Sequence, residues 1–372
     1  MSKETLQGGL SKEPWAHISK RDDISFGKAW MIRLTAAALS LVVCAIVIFA
    51  LTKLNPIEVY KAIFGGAVGT SRRTWVTIRD SLVLLLIAIG LTPAFKMRFW
   101  NIGAEGQVLA GGVVTAAVMI YGGDSMPAWL MLVVMLAGSI AAGMIWGLIP
   151  AFFKAWWNTN ETLFTLMLNY VAMQIVTFCI VFWENPSGSN TVGIINSASR
   201  AGWLPALGEM TYGWNLIIVL AITFAMYIYL KYSKQGYEVA VVGESENTAR
   251  YVGINVKKVI MRTMAISGGI CGIAGFIIVS GASHTISTST AGGRGFTAII
   301  VAWLSKFNAF AMILVSFFLV FMEKGAMQIA SQFNLNENAS DVITGIILFF
   351  ILGSEFFIQY KVELRGRRKG DL

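Results

Sequence analysis

The sequence predicts an all-α, polytopic membrane protein of about ten transmembrane helices, some short or re-entrant, with both termini cytoplasmic. Three observations carry that expectation. Of the 372 residues, 56% are hydrophobic and only 13% charged, far from a soluble domain, in which about a quarter are charged. Several apolar runs reach the roughly 20 residues that span ~30 Å of hydrocarbon as a helix. These runs are continuous instead of alternating, which excludes a membrane β-barrel.

The net charge of +9 does not point to nucleic acid. Its excess lies at the two ends and in one internal loop, which fits cytoplasmic segments facing anionic headgroups. Cys44, Cys179 and Cys271 fall inside apolar runs without metal-ligand spacing and read as buried small hydrophobes. Residues 1–32 are polar and mixed in charge, a cytoplasmic tail expected to be partly helical on the membrane surface, with no cleavable signal peptide. Residues 33–360 read as the transmembrane domain and 361–372 as a basic cytoplasmic tail.

The first span is expected from about Leu34 to Thr52. Asn55-Pro56-Ile57-Glu58 supplies an N-cap, a first-turn proline and an acidic third residue. It predicts a short interfacial helix that stops at Gly65-Gly66. Further spans are expected at 80–95, 106–122, 127–153, 162–183, 214–230 and 259–280. The stretch 296–322 is interrupted by Lys306-Phe-Asn308, and 296–305 alone gives only about 15 Å of helix. It is read as two elements. The last span is expected at about 341–358.

With the N-terminus inside, the cytoplasmic segments carry most of the Lys and Arg, as the positive-inside rule requires. A basic C-terminus on the same side demands an even number of crossings. One segment disagrees: 53–79 carries Lys53, Lys61, Arg72, Arg73 and Arg79 on the expected outer face, which snorkelling around a surface helix accommodates.

Polar residues and glycines interrupt the apolar pattern at Asn101-Ile-Gly-Ala-Glu-Gly-Gln107 and again at Gly292-Gly-Arg-Gly-Phe-Thr297. Two Gly-interrupted helix starts in corresponding halves point to a transport pathway. No phosphate-binding loop, His-Glu-x-x-His or Gly-x-Ser-x-Gly occurs, and His17 and His284 offer no shared site. Nothing argues for an enzyme, and no catalytic or metal-ligating residue is assigned.

The cytoplasmic loop 231–258 contains a second signal. Ser245 is placed to cap a helix over 246–252, Gly253 to end it and Asn255 to cap the next span. Two readings are open: a short rigid helix showing Ala249, Tyr251 and Val252 to a partner's groove, or an ordinary solvated loop.

Three segments, Asn101 to Gln107, Gly243 to Asn255 and Gly293 to Ala302, resemble the permease subunit of bacterial ABC importers. The family contains ribose, branched-chain amino acid and nucleoside permeases, and the chain is nearest its nucleoside and simple-sugar branch. The resemblance covers about residues 34–360. It implies a ten-helix permease of the bacterial cell membrane that pairs with a second permease, a related heterodimer partner being favoured over a second copy. Two cytoplasmic ATPase subunits would hold ATP-Mg, so this chain would bind no cofactor itself. An external substrate-binding lipoprotein would deliver the solute. The resemblance assigns coupling to the ATPases to Glu244, Ser245, Ala249, Arg250 and Gly253. Trp303 departs from it, standing where a smaller apolar residue is expected.

Asn101, Glu105 and Gln107 carry hydrogen-bonding groups suited to a sugar hydroxyl or a nucleobase edge. The structural alternative pairs Glu105 with Lys96 or Arg98, since intramembrane charges usually find partners. Phe296 and Thr297 are candidates at the second helix start, with helix-end packing as the rival. Asn169, with Asn158, Asn160 and Glu161, marks another helix entry, where hydrogen bonding between helices is an equal alternative. Gly268, Gly269, Gly272 and Gly275 are read as allowing close helix approach. The leading function is a nucleoside-importing permease; the alternatives are a simple-sugar or branched-chain amino acid permease, and, of another class, a secondary transporter with its ion at Glu105 or Asp80.

Overall fold

A computed structural model describes residues 16–20, 25–53, 55–208 and 210–333, together with 342–343, 345–346, 349–350, 353–354, 356–358 and 360–364. The first 15 residues of the expected tail and the basic cluster after residue 364 lie outside the described residues. The chain forms two compact units, residues 64–325 and residues 1–63 with 326–372.

The larger unit is built around two helices, α3 (Ser71–Lys96) and α10 (Val256–Ile278). Each contains a long stretch that is apolar on every side and almost wholly buried, as a helical stretch without a polar face must be. Around them stand α4 (Ala104–Gly122), α5 (Ala128–Trp157), α6 (Glu161–Trp183) and α7 (Gly213–Tyr232). α10 lies against α3, α4 and α5, while α6 packs on α4 and α7 on α3. Small residues set the closest approach. A Cβ on Gly272 would fall 3.0 Å from the Ser139 carbonyl carbon, and one on Gly111 would fall 2.7 Å from Gly272 Cα. Backbone therefore meets backbone on two sides of α10, as the glycine spacing predicts.

The interrupted stretch resolves into α11 (Arg294–Leu304) and α12 (Ala309–Gln332). Lys306 and Phe307 both adopt left-handed backbone between them, so the chain reverses where the sequence places its break. Among the described residues, seven helices are long and apolar enough to cross a membrane, and two shorter apolar helices cover Leu34–Ala50 and Arg294–Leu304. The protein is a multi-pass, all-α membrane protein. In the segment between α6 and α7, Ile195 N–H donates to the His284 carbonyl and Leu204 N–H to Ser280, and Trp203 stacks on His284 at 3.7 Å.

The loop 231–258 is more helical than the sequence suggests. α7 continues to Tyr232, then α8 (Lys234–Glu244) and α9 (Glu246–Tyr251) follow. α8 is absent from the sequence reading. Its cap is Ser233, whose Oγ accepts from Gly236 N–H at 2.9 Å, and its apolar Val239 and Val242 face inward.

In the smaller unit, α1 (Phe26–Thr52) carries Cys44, buried with its thiol toward the Ile343 carbonyl. The expected tail 1–32 is corrected in two respects. α1 already begins at Phe26, and β1 (Ala16–Lys20) pairs antiparallel with β2 (Tyr360–Leu364) instead of forming a surface helix. The ribbon pairs the facing backbone groups of the two segments and sets residues 16–20 beside 360–364. α2 (Pro56–Val68) runs through Gly65 and Gly66 instead of stopping there. Its last carbonyls have partners, with Thr77 Oγ1 donating to Ala67 and Arg73 to Gly65. The described residues of the expected last span, between 342 and 358, are helical.

Candidate functional site

After α3 the chain turns through Arg98, a left-handed residue, and re-enters the helix bundle as an extended segment. α4 thus starts inside the protein, where its first N–H groups cannot reach water and require internal acceptors. Asn101 Oδ1 accepts from Gly103 N–H at 2.9 Å and from Gln107 Nε2 at 3.4 Å, and its Nδ2 donates to Ser267 Oγ at 3.3 Å. Asn169 of α6 closes the other side: its Oδ1 accepts from Gly106 N–H at 2.8 Å and its Nδ2 donates to the Ile102 carbonyl at 2.9 Å. Thr165 Oγ1 accepts from Ile102 N–H. Asn101, Gln107 and Asn169 are all buried, their polar groups committed to this helix start.

Glu105 is bound to neither Lys96 nor Arg98. Its carboxylate caps α11: one oxygen accepts from Gly293 N–H at 2.7 Å and the other from Gly295 N–H at 2.8 Å. A negative group at the positive end of a helix is favoured. Here it comes from a different helix, because Gly293 at the cap position has no side chain of its own. A Cβ on Gly295 would lie 2.7 Å from Glu105 Oε2, so the contact needs glycine there. The two helix starts recognised in the sequence are thereby joined directly. Phe296, 42% exposed, and the half-buried Thr297 stand on the first turn of α11, with Thr297 Oγ1 donating weakly to Gly293. Of the six pathway candidates, four meet around these starts and two project from α11.

The other polar candidates serve helix ends. Asn160 Oδ1 caps α6 at Leu163 N–H, Asn158 ends α5 in left-handed backbone, and Glu161 pairs with Lys154 at 2.9 Å.

Two groupings were missed in the sequence. Asp80, its side chain 3% exposed, bonds Arg79 at 2.8 Å, Lys324 at 2.6 Å and Arg294 at 3.5 Å, tying α3, α11 and α12 together. Arg79 also donates to the Tyr212 hydroxyl. The available signal was that ionisable residues inside apolar runs need partners. Both carboxylates that could hold a driving ion, Asp80 and Glu105, are already engaged. The second grouping is aromatic. Trp303 stacks on Trp100 at 5.5 Å and meets Phe95 and Phe307 edge-on.

Within residues 231–258, Ser245 Oγ accepts from Thr248 N–H at 3.2 Å and caps α9, and Gly253 (φ 80°) follows it in the left-handed region that favours glycine. Asn255 Oδ1 caps α10 at Lys258 N–H. Ala249 corrects the sequence expectation. It is fully buried in a cluster with Phe99, Val242, Val256 and Met264, because a two-turn helix stays fixed only by packing one side down. Tyr251 at 93% and Val252 at 61% are the exposed apolar residues. Glu244 and Arg250 also face solvent, Arg250 pairing with Glu246 at 3.3 Å. α8 seats its Gly243 directly on the Lys96–Met97 backbone, with no room for a Cβ. α8 and α9 are therefore packed against the segment that leads into α4.

Sequence comparison places this architecture. Residues 76–352 match the family described as branched-chain amino acid transport system / permease component. The guanosine ABC transporter permease protein of Bacillus subtilis is 30% identical over 82% of this chain and 89% of its own length. The glucose ABC transporter permease protein of Haloferax volcanii is 26% identical over 92% and 93%. The nucleoside ABC transporter permease protein of Lactococcus lactis subsp. cremoris is 26% identical over 80% and 84%. By the family match over most of its length, the chain belongs to the branched-chain amino acid transport system permease component family.

Proposed function

We propose that this chain is the permease subunit of an ATP-driven nucleoside importer, non-catalytic itself. It pairs with a second, related permease, takes solute from an external lipoprotein and is driven by two cytoplasmic ATPase subunits that hold ATP-Mg. The observation that carries the reading is α9: its buried Ala249 fixes it to Phe99, while Tyr251 and Val252 stay outside. A push on the exposed side therefore reaches residues 97–101 and the start of α4 through solid packing. Glu244, Ser245, Ala249, Arg250 and Gly253 are assigned to this coupling element. Asn101, Glu105, Gln107 and Asn169 are assigned to holding the two helix starts in place, and Phe296 and Thr297 to the pathway wall.

Nucleosides rank first as substrate because two of the relatives are named for guanosine and nucleosides. A simple sugar is the second reading, favoured by the glucose permease of Haloferax volcanii. The test is uptake of labelled guanosine and glucose into vesicles carrying the reconstituted complex. Guanosine accumulation is expected only with ATP inside. Tyr251→Ala and Gly253→Trp are expected to leave the chain folded and cut uptake at least tenfold. Uptake by this chain alone on a proton or sodium gradient, without ATP, would overturn the proposal.

A further inference from the structure

The stacked pair Trp100 and Trp303 takes no part in the Glu105 clamp or in the cluster that seats α9, and much of it is uncovered. Trp100 is 46% and Trp303 44% exposed, although their rings lie within 18° of parallel with centroids 5.5 Å apart. Phe95 meets both rings edge-on, at 5.9 and 6.0 Å, and Phe307 meets Trp303 at 5.1 Å. Two further rings thus brace the pair and still leave aromatic surface open. The fold does not require bulk at residue 303. α11 packs on α3 and α4 with Gly295, Ala298, Val301 and Ala302, all buried. Phe296 and Trp303, seven residues or about two turns apart, stand on the side turned away from that contact. Where the resemblance expects a smaller apolar residue, this chain carries a tryptophan.

The head of α11 indicates what that side faces. Gly293 is held by Glu105 in the first turn of α4, and α4 starts inside the bundle. Non-helical backbone at such a depth persists only where protein buries it or where it lines a water-filled space. Residues 284–293 are not helical, and Thr288, Ser289 and Gly292 are exposed, so the second condition applies. Phe296, whose N–H donates to the Gly293 carbonyl, adjoins this exposed segment, and Trp303 continues the same side of the helix. Large exposed aromatic surface beside water marks a place where something binds. A flexible acyl chain has no need of flat, parallel rings. A nucleobase does, because its face stacks on an aromatic side chain whichever base it is.

We propose that Trp100 and Trp303 form a stacking subsite for the base of a nucleoside in transit. The inference rests on the nucleoside reading above and adds to it the residues that select a flat ring. Neither tryptophan is needed to join α4 to α11, so their role is contact with the solute.

The test photolabels the reconstituted complex, with its binding protein and ATP, using azidoguanosine, and maps the adducts by peptide mass spectrometry. Adducts are expected on the peptides that contain Trp100 or Trp303, and excess guanosine, but not glucose, is expected to remove them. Trp100→Leu and Trp303→Leu should each lower labelling and guanosine uptake about tenfold, the size of one lost base stack, whereas Trp303→Phe, which keeps a ring, should hold uptake within about threefold of wild type. If a leucine variant fails to assemble, labelling of the wild-type complex decides alone. A wild-type complex that imports guanosine yet carries no adduct on either peptide would overturn the subsite and leave the nucleoside reading standing. Full uptake in both leucine variants would do the same. Adducts that survive excess guanosine would overturn it in favour of a lipid or subunit contact at the pair. A wild-type complex that imports no nucleoside would overturn subsite and reading together.

Discussion

Gly272→Ala should be far more damaging than its single methyl suggests. A Cβ there would lie 3.0 Å from the Ser139 carbonyl carbon and nearer still to the oxygen, so α10 and α5 would have to part by about 1 Å. A gap of that size forfeits roughly a quarter to a half of each contact across it. Sliding away is blocked, because Gly111 of α4 already meets the other side of Gly272. Overpacking of this kind costs about 1–3 kcal/mol, and the gain in helix propensity returns up to about 1 kcal/mol. Because backbone blocks relief on both sides, the upper end of that range applies, and the expected net loss is about 2 kcal/mol, roughly thirtyfold in the unfolding equilibrium. Gly269→Ala is the matched control. Its Cβ would meet only side chains, Met144 Cγ at 3.0 Å and Ile140 Cγ2 at 3.4 Å, and Met yields readily, so its net change should stay within about 0.5 kcal/mol. Unfolding by SDS titration in mixed micelles, followed by tryptophan fluorescence, measures both. If the two variants unfold within about 0.5 kcal/mol of each other, backbone-limited packing at α10 is refuted.

Glu105→Ala should cost about 3 kcal/mol by the same titration, since two N–H groups lose a charged acceptor; faster hydrogen exchange at 293–297 is the local readout, and unchanged exchange would count against the cap. Asp80→Asn should cost about 3–5 kcal/mol by leaving Arg79, Arg294 and Lys324 clustered without their carboxylate. Asp80→Asn/Lys324→Met should recover part of that loss, and no recovery would argue against the cluster. Burial first, and then the Arg79 charge, hold the His284 imidazole below its ordinary value. The unfolded segment therefore takes up the proton first. Stability from neutral His284 is fully present above about pH 6.5 and lost as pH falls below it. Protection from hydrogen exchange at 195–204, corrected for the pH dependence of the intrinsic rate, should accordingly be lower at about pH 5 than at about pH 7.5, and His284→Phe, which keeps a ring against Trp203, should abolish the difference.

The sequence carried local information well and distant pairing poorly. The break at Lys306–Asn308 and the caps Ser245 and Asn255 were readable because each depends on neighbours a few residues away. Helix ends moved by several residues; α3 starts at Ser71 instead of about residue 80 because Thr70 supplies a cap, its Oγ1 accepting from Arg73 N–H. Ala249 was assigned to the wrong face because six residues contain too little periodicity to show which side packs. The partners of Glu105 and Asp80 were not legible at all. Glu105 reaches Gly293, and Asp80 reaches Arg294 and Lys324, across sequence separations that no local pattern encodes. Polarity marked these residues as special; only the fold shows that both bind the start of α11.

The carboxylate bridge from Glu105 to the head of α11 has a mechanical consequence. α4 and α11, clamped at their starts, form one coupled pair instead of two independent helices. Arg98 stands just ahead of the clamped start of α4, and Lys306 and Phe307 just beyond the far end of α11, all three in left-handed backbone. A displacement entering at either turn is passed to both helices through the carboxylate. The smallest unit that can shift is thus the helix pair, not either helix alone.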